Sequence, residues 1–379
     1  MDEVFGDENF VNQINCRTNS GTTRAGSLKR SCDYLLWYAK NSEAKKFRRL
    51  VVERFLDTQT YNQLAFDNLT YRSMTKAEKD DFELIPKNAQ AYSRMPLHSM
   101  SAGNHSVRIA FGQEWTIPSN RSWRHSEEGF VRLLRASRIQ ANISSLSSRY
   151  FHNDYPASEF IETWTDTGPE FHKVYVVQTA TSAIQRCILM TTDPGDLVLD
   201  PTCGGGTTAY VAEQWGRRWI TIDTSRVALA LTRARIMGAR YPYYLLSDSP
   251  EGQLKEAELS NVEPVETPTY GNIRQGFVYE QVPHITLRAI ANNAEIDVIW
   301  ERFQETLEPL RKQLNDTLGE NWEEWEIPRD GDESWSPEAT QLHTEWWEQR
   351  VTRQKEIDAA IASNADYEYL YDKPYEDKK

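Results

Sequence analysis

Residues 197–208, LVLDPTCGGGTT, constrain the fold of this chain more than any other stretch. A short apolar run bounded by Pro194 and Gly195 reads as a buried parallel strand. It ends in a carboxylate, Asp200, followed by three glycines and two threonines that open a helix. Glycines allow a backbone to approach a ligand closely, and a new helix presents unpaired N–H groups to it. A second apolar run, residues 219–222, ends in Asp223 at a distance that suits one β-α-β unit. A carboxylate at the end of that second strand can accept both hydroxyls of a ribose.

Two ligands fit such a loop. Residues 204–209 satisfy G-x-G-x-x-A, which is the weak signature of a dinucleotide site. Asp200 opposes that reading, because a negative charge would stand at the mouth of a loop built to cradle a pyrophosphate. S-adenosylmethionine has no phosphate and carries a sulfonium and an ammonium, so charge complementarity favours it over NAD. Three consecutive glycines cost conformational entropy, which argues against a junction that binds nothing. Cys203, inside the loop, has no His-Asp arrangement to activate it and reads as a small pocket-lining residue.

The segment from 178 to 235, QTATSAIQRCILMTTDPGDLVLDPTCGGGTTAYVAEQWGRRWITIDTSRVALALTRAR, resembles the DNA amino-methyltransferases that act on adenine N6 or cytosine N4. Within them it is most similar to the modification subunits of type III restriction-modification systems. That family's loop reads D-P-F-x-G-S-G-T-T, so Asp200, Pro201, Gly204, Gly206, Thr207 and Thr208 match. Thr202 replaces the aromatic residue and Gly205 the serine. The resemblance implies a Rossmann-like α/β core for S-adenosylmethionine, with Asp200, Pro201, Thr202, Cys203, Gly204, Gly205, Gly206, Thr207 and Thr208 around the methionine portion. It places Asp223 at the ribose and adds Gln178 and Thr179 upstream.

The opening MDEVFGDENFVNQINCRTNSG and the stretches GFVYEQVPHITLRAIANNAEIDVIWE and RQKEIDAAIASNADYEYLYDKPYEDKK resemble the same family. In its circular order the opening follows the catalytic motif, so Met1 is expected at an internal position and both ends are expected to be cut. That motif, [Asp/Asn/Ser]-Pro-Pro-[Tyr/Phe/Trp], holds the flipped base. The chain has no Pro-Pro pair, and no catalytic residue is assigned. Asp372-Lys373-Pro374-Tyr375 and Asn153-Asp154-Tyr155-Pro156 are look-alikes, and the first reads as a turn in a charged tail.

The resemblance implies an adenine-specific enzyme acting on double-stranded DNA in the cytoplasm, with a second modification subunit and a restriction subunit as partners. It also implies that this chain alone does not transfer methyl. A non-catalytic DNA-binding or assembly remnant is the alternative, and an NAD-binding oxidoreductase is the more distant one.

Charge divides unevenly along the 379 residues. Residues 1–150 hold 22 Lys+Arg against 16 Asp+Glu, and residues 151–379 hold 21 against 40. The basic excess concentrates in two patches, the natural places for phosphates. One includes Arg17, Arg24, Lys29 and Arg30, with Lys46, Arg48 and Arg49 beyond. The other includes Arg121, Trp123 and Arg124, with Arg132, Arg135 and Arg138, where Trp123 is placed to stack on or wedge beside a base.

Four cysteines without a C-x-x-C pair fit a reducing compartment, and no apolar run is long enough to span a membrane. The expected organisation is a remnant of the catalytic half over 1–15, a DNA target-recognition region over 16–150, the Rossmann-like half over 151–250 and an acidic, Trp-rich helical extension over 251–379.

Periodicity predicts helices over 181–192 and 207–215, a third capped by Thr224, and a third parallel strand over 243–246 ending at Asp248. The pattern over 295–318 predicts an amphipathic helix, kinked at Pro309, that buries its stripe in a core of this chain or against a partner.

Overall fold

The computed structural model describes residues 1–17, 31–101, 103–168, 174–176, 178–260, 262–264 and 267–377. They divide into two compact units, one formed by residues 1–53, 157–281 and 369–379, the other by 54–156 and 282–368. No helix among the described residues is long and apolar enough to cross a membrane.

The first unit holds the β-α-β arrangement. Strands β1 (Phe10–Arg17) and β2 (Cys32–Tyr38) pair antiparallel, and β3 (Thr163–Trp164) runs parallel to β1. Helix α1 (Thr181–Thr191) precedes β4 (Leu197–Asp200), helix α2 (Thr207–Gln214), β5 (Arg218–Thr221) and helix α3 (Arg226–Gly238). β4 and β5 pair in parallel register, Leu197 opposite Arg218 and Asp200 opposite Thr221. The mixed α/β class and its Rossmann-like core follow from this order, because parallel neighbours require a crossover and here α2 supplies it. The core beneath gathers Ile14, Leu189, Val211, Ala212 and Trp215 with the apolar face of α1.

Three local expectations change. Ser225 rather than Thr224 caps α3, its side chain accepting from the Ala228 N–H. Residues 243–246 form antiparallel bridges, Tyr244 to Glu376 and Leu246 to Phe277, instead of a third parallel strand. The Tyr244 ring explains this: it stacks on Trp215 at 5.5 Å and meets the edge of Phe277 at 5.4 Å. The Asp372-Lys373-Pro374-Tyr375 look-alike lies at the end of the strand Asp366–Pro374, paired with Tyr279–His284, and not in a turn. Leu370 is buried and Tyr371 packs on the core, which holds that strand down.

The second unit is built on a five-stranded antiparallel sheet in the order Ile139–Ala141, Leu146–Phe151, Ala89–Pro96, Gln63–Phe66, Tyr71–Ser73. The helix Glu295–Leu318 runs unbroken through Pro309 and packs along Pro337–Ser363. Its stripe resolves into a core of this chain. Ile296 and Ile299 join Phe130, Leu133, Ile139 and Ile357, while Leu307, Leu310 and Leu314 meet Ile327, Ala339 and Trp346. Trp322, Trp335 and Trp347 pack against the same cluster, and Trp325 stays half exposed.

The two units cut across the segments drawn on composition. Parts of 16–150 and 251–379 share one unit, because the acidic helices bury their apolar faces against Phe130 and Leu133 of the basic segment.

Candidate functional site

Parallel pairing of β4 and β5 brings two carboxylates to the same end of the sheet. Asp200 closes β4, and its carbonyl accepts the Ile222 N–H at 2.8 Å, so Asp223 follows immediately beside it. The carboxyl ends of parallel strands are where α/β proteins bind ligands.

The loop between β4 and α2 is shaped by positive φ. Gly204 has φ +51° and Gly206 φ +73°, a region that side chains other than glycine rarely adopt. A Cβ on Gly206 would lie 2.6 Å from Thr232 Cγ2, and one on Gly205 would lie 3.1 Å from Tyr175 Cβ. The loop is thus held between Tyr175 on one side and α3 on the other. Gly206 starts α2 without a side-chain cap. Asp200 Oδ1 accepts the Thr202 N–H at 3.0 Å, which turns the chain at Pro201. Pro201 and Thr202 are exposed, Thr208 is half-buried and Thr207 is buried. Cys203 is buried, its Sγ 3.7 Å from Thr232 Oγ1, in keeping with a small packing residue.

Asp223 ties the two strand ends together, accepting from the Gly204 N–H at 2.9 Å and the Ser225 N–H at 2.8 Å. Those backbone donors, Ser225 first and Gly204 second, hold its carboxyl below the usual carboxylate range. It is a carboxylate at any neutral pH, with lone pairs left for hydroxyl donors.

Gln178 stands at the loop: its Oε1 accepts the Val174 N–H at 3.0 Å and faces Gly205. Thr179 is exposed, next to the start of α1. Sequence reading missed Tyr175, Thr232 and Arg235. The last two lie three residues apart on α3, on the side marked by buried Ala228, and that spacing was the available signal. Asp248, at the end of 243–246, is buried and accepts the N–H groups of Tyr270 and Asn272, which accounts for it structurally.

The basic patches come apart on inspection. Arg24, Lys29 and Arg30 lie outside the described residues, and Arg17 is exposed at the end of β1. Lys46 and Arg48 pair with Asp193, and Arg49 with Glu159. Arg132 and Arg135 both bind Asp297, at 2.7 and 2.6 Å, and Arg138 binds buried Asp154. Arg124 is exposed and Arg121 half-buried. Arg121 Nη1 lies 3.1 Å from His98 Nδ1. Burial, and then Arg121 itself, push the His98 pKa down, which keeps the ring neutral and able to accept.

Trp123 corrects the expectation of a base-stacking side chain. It is only 7% exposed, its ring meets Phe130 at 5.9 Å, and its Nε1 donates to the Ser106 carbonyl at 2.8 Å. A ring closed into the core cannot reach a base. Replacing it, Trp123→Ala, is expected to cost about 3–5 kcal/mol of the second unit's stability. Urea unfolding measures this, and an unchanged midpoint would contradict the buried placement.

The family model N6_N4_Mtase, DNA methylase, matches residues 1–233. Type II methyltransferase M.EcaI of Enterobacter cloacae is 24% identical, over 64% of this chain and 50% of its own length. Type II methyltransferase M2.LlaDCHI of Lactococcus lactis subsp. cremoris is 35% identical, over 43% of this chain and 70% of its own. Type II methyltransferase M2.DpnII of Streptococcus pneumoniae is 37% identical over 20% of this chain and 26% of its own. The chain thus spans half or less of two of these three relatives.

Among solved structures, TTHA0409 of Thermus thermophilus, a DNA modification methylase complexed with S-adenosyl-L-methionine, overlaps at 16% identity, 39% of this chain, 70% of its own and a TM-score of 0.18. At that TM-score the superposition adds no weight. The family model covers well over half of the sequence, including the whole glycine loop and Asp223, and this chain belongs to the N6/N4 DNA methylase family.

Proposed function

We propose that this chain forms the cofactor-binding and target-binding portion of a DNA amino-methyltransferase. The cofactor is S-adenosylmethionine, which supplies an electrophilic methyl group, and the acceptor is the N6 amine of an adenine flipped out of duplex DNA. The observation that carries this reading is the pair of carboxylates, Asp200 and Asp223, at one end of two parallel strands around a positive-φ glycine loop.

The residues fit that group. Asp200 offers a negative charge to a ligand that carries positive charge on sulfur and nitrogen. Asp223 offers carboxylate oxygens to ribose hydroxyls. Tyr175 and Gln178 stand close against Gly205, a Cβ there lying 3.1 Å from Tyr175 Cβ, so a glycine suits close backbone approach. A pyrophosphate would meet Asp200 unfavourably, and this separates the reading from an NAD-binding oxidoreductase.

The sequence has no Pro-Pro pair, so on this reading an acceptor motif would come from a segment other than residues 1–379. An unusual feature of the sheet supports an additional α/β segment at this site. Parallel sheets are ordinarily covered on both faces, yet Leu197, Leu199, Ile220 and Ile222 are 52%, 60%, 48% and 52% exposed. A strand added in parallel beside β4 would end next to Asp200, where an Asp-Pro-Pro-aromatic sequence would meet the methyl group.

The type III kind of system, with a second modification subunit and a restriction subunit, is the setting the resemblance suggests, in a reducing cytoplasm suited to four cysteines without a C-x-x-C pair. Arg17 and Arg124, exposed members of the two basic patches, are cations suited to phosphate contact.

Calorimetry on the full chain tests the cofactor reading: heat with S-adenosylmethionine and none with NAD is expected. Asp200→Asn is expected to weaken the former about tenfold, the order of one charge-assisted contact. Uptake of NAD alone would overturn it. Methyl transfer to DNA by the chain without any added segment would overturn the external origin of the acceptor motif.

A further inference from the structure

The glycine loop is bonded on one side to two side chains of α3. Thr232 Oγ1 donates to the Gly204 carbonyl at 2.9 Å. Arg235 Nη1 donates to the Gly205 carbonyl at 3.2 Å and to Thr207 Oγ1 at 3.0 Å, and its guanidinium lies over the Tyr210 ring at 4.8 Å. Thr232 is 4% exposed, so its hydroxyl is committed to the loop and not to solvent.

These bonds orient peptide planes as well as anchor them. In a trans peptide the C=O and the following N–H point to opposite sides. With the Gly204 carbonyl turned onto α3, the N–H of Gly205 is turned away from α3. The next plane behaves differently: with the Gly205 carbonyl on Arg235, the Gly206 N–H returns to the Cys203 carbonyl at 2.8 Å. Gly204 N–H is already taken by Asp223. The Gly205 N–H is therefore a loop donor that faces away from α3, and its peptide joins two residues whose backbone turns freely. Without an acceptor-side bond, that plane could rotate and present a carbonyl in place of the N–H.

We infer that Thr232 is a positioning residue: its hydroxyl holds the Gly204–Gly205 peptide with the N–H of Gly205 aimed at the carboxylate of the methionine portion of S-adenosylmethionine. Arg235 steadies the following plane and the first turn of α2. The inference rests on the cofactor reading above and adds to it a residue that never touches the ligand. A carboxylate offered a fixed backbone N–H gains a charge-assisted bond with no reorganisation on binding. A carbonyl in its place would repel it.

The test compares two ligands on the full chain by calorimetry: S-adenosylmethionine, and 5′-methylthioadenosine, which lacks the amino-acid end. Thr232→Val removes the hydroxyl at nearly constant shape, and Thr232→Ser keeps it. The expected result is a loss of about ten- to a hundredfold in affinity for S-adenosylmethionine in the valine variant, the span of one hydrogen bond to a charged group. Affinity for 5′-methylthioadenosine is expected to stay within about twofold, and the serine variant to bind both as the parent does.

Equal losses for the two ligands would mean that the loop has collapsed, and would overturn the inference. So would a valine variant that binds S-adenosylmethionine normally. If the parent chain binds neither ligand, the cofactor reading falls first and takes the positioning role with it.

Discussion

Gly206→Ala is expected to abolish measurable binding of S-adenosylmethionine, a loss of about a hundredfold or more, while Gly271→Ala leaves it unchanged. Both glycines occupy the left-handed region, at φ +73° and +63°. Alanine there costs roughly 1–2 kcal/mol at either position. They differ in what surrounds them. A Cβ on Gly206 would stand 2.6 Å from Thr232 Cγ2 and 2.8 Å from its Oγ1, whereas one on Gly271 would meet nothing within 4 Å.

The loop must then move off α3, and the first departure is the bond from Thr232 to the Gly204 carbonyl. Calorimetry on both variants, with urea unfolding to record their stabilities, separates strain from site geometry. Similar affinities in the two variants would show that the close approach of loop and helix has no part in binding.

The second large effect lies far in sequence from the loop. Arg353 has no exposed side-chain surface, its guanidinium sits 3.6 Å from the centre of the Trp300 ring, and it pairs with Glu324. Glu324 also takes Arg350 at 2.7 Å. Burial pulls the Arg353 pKa down to about 10, which leaves it charged at neutral pH. Arg353→Met is expected to cost about 3–5 kcal/mol, because the carboxylate loses a partner in a poorly solvated place. Because both changes remove the same Arg353–Glu324 pair, the double variant with Glu324→Gln is expected to cost less than the two single variants summed.

The pH dependence has a definite sign. Burial pushes the Glu324 pKa up, but Arg350 and Arg353 more than offset it, so the folded value lies below the ordinary one. The pair therefore contributes stability above the ordinary carboxylate range, and that contribution fades as pH falls through the lowered value. In Arg353→Met one of the two offsetting cations is lost while Arg350 stays, so the Glu324 pKa rises relative to the parent and less stability is lost on acidification. The stability gap between parent and variant is expected to narrow between pH 7 and pH 4 in urea titrations. A gap that widens would refute the ion-pair account.

Local signals in the chain were strong where a single element makes its own case. The run 197–200, the glycines after it and the strand ending at Asp223 were legible as a β-α-β unit because apolar strands and glycine turns carry their own composition, although one face of the strands is exposed. The helix Glu295–Leu318 was legible to both ends from its apolar stripe, with Gly319 closing it at φ +69°. Residues 243–246 were misassigned, because four apolar or aromatic positions in a row say strand but not which neighbour. Stacking of Tyr244 on Trp215 decided that. Trp123 among arginines looked like a surface wedge, since sequence proximity to charge does not reveal which way a ring turns.

The sequence by itself determined the family, the glycine loop and the two carboxylates that flank it, because these depend on residue type at short spacing. Only the tertiary structure decided which cations are already paired, where Trp123 is buried and which α3 side chains hold the loop. Arg132 and Arg135 find Asp297 more than 160 positions away, and Thr232 reaches back 28 positions to Gly204. Such partners are set by packing of distant apolar faces, and a linear pattern carries no record of which charges or hydroxyls that packing brings within about 3 Å.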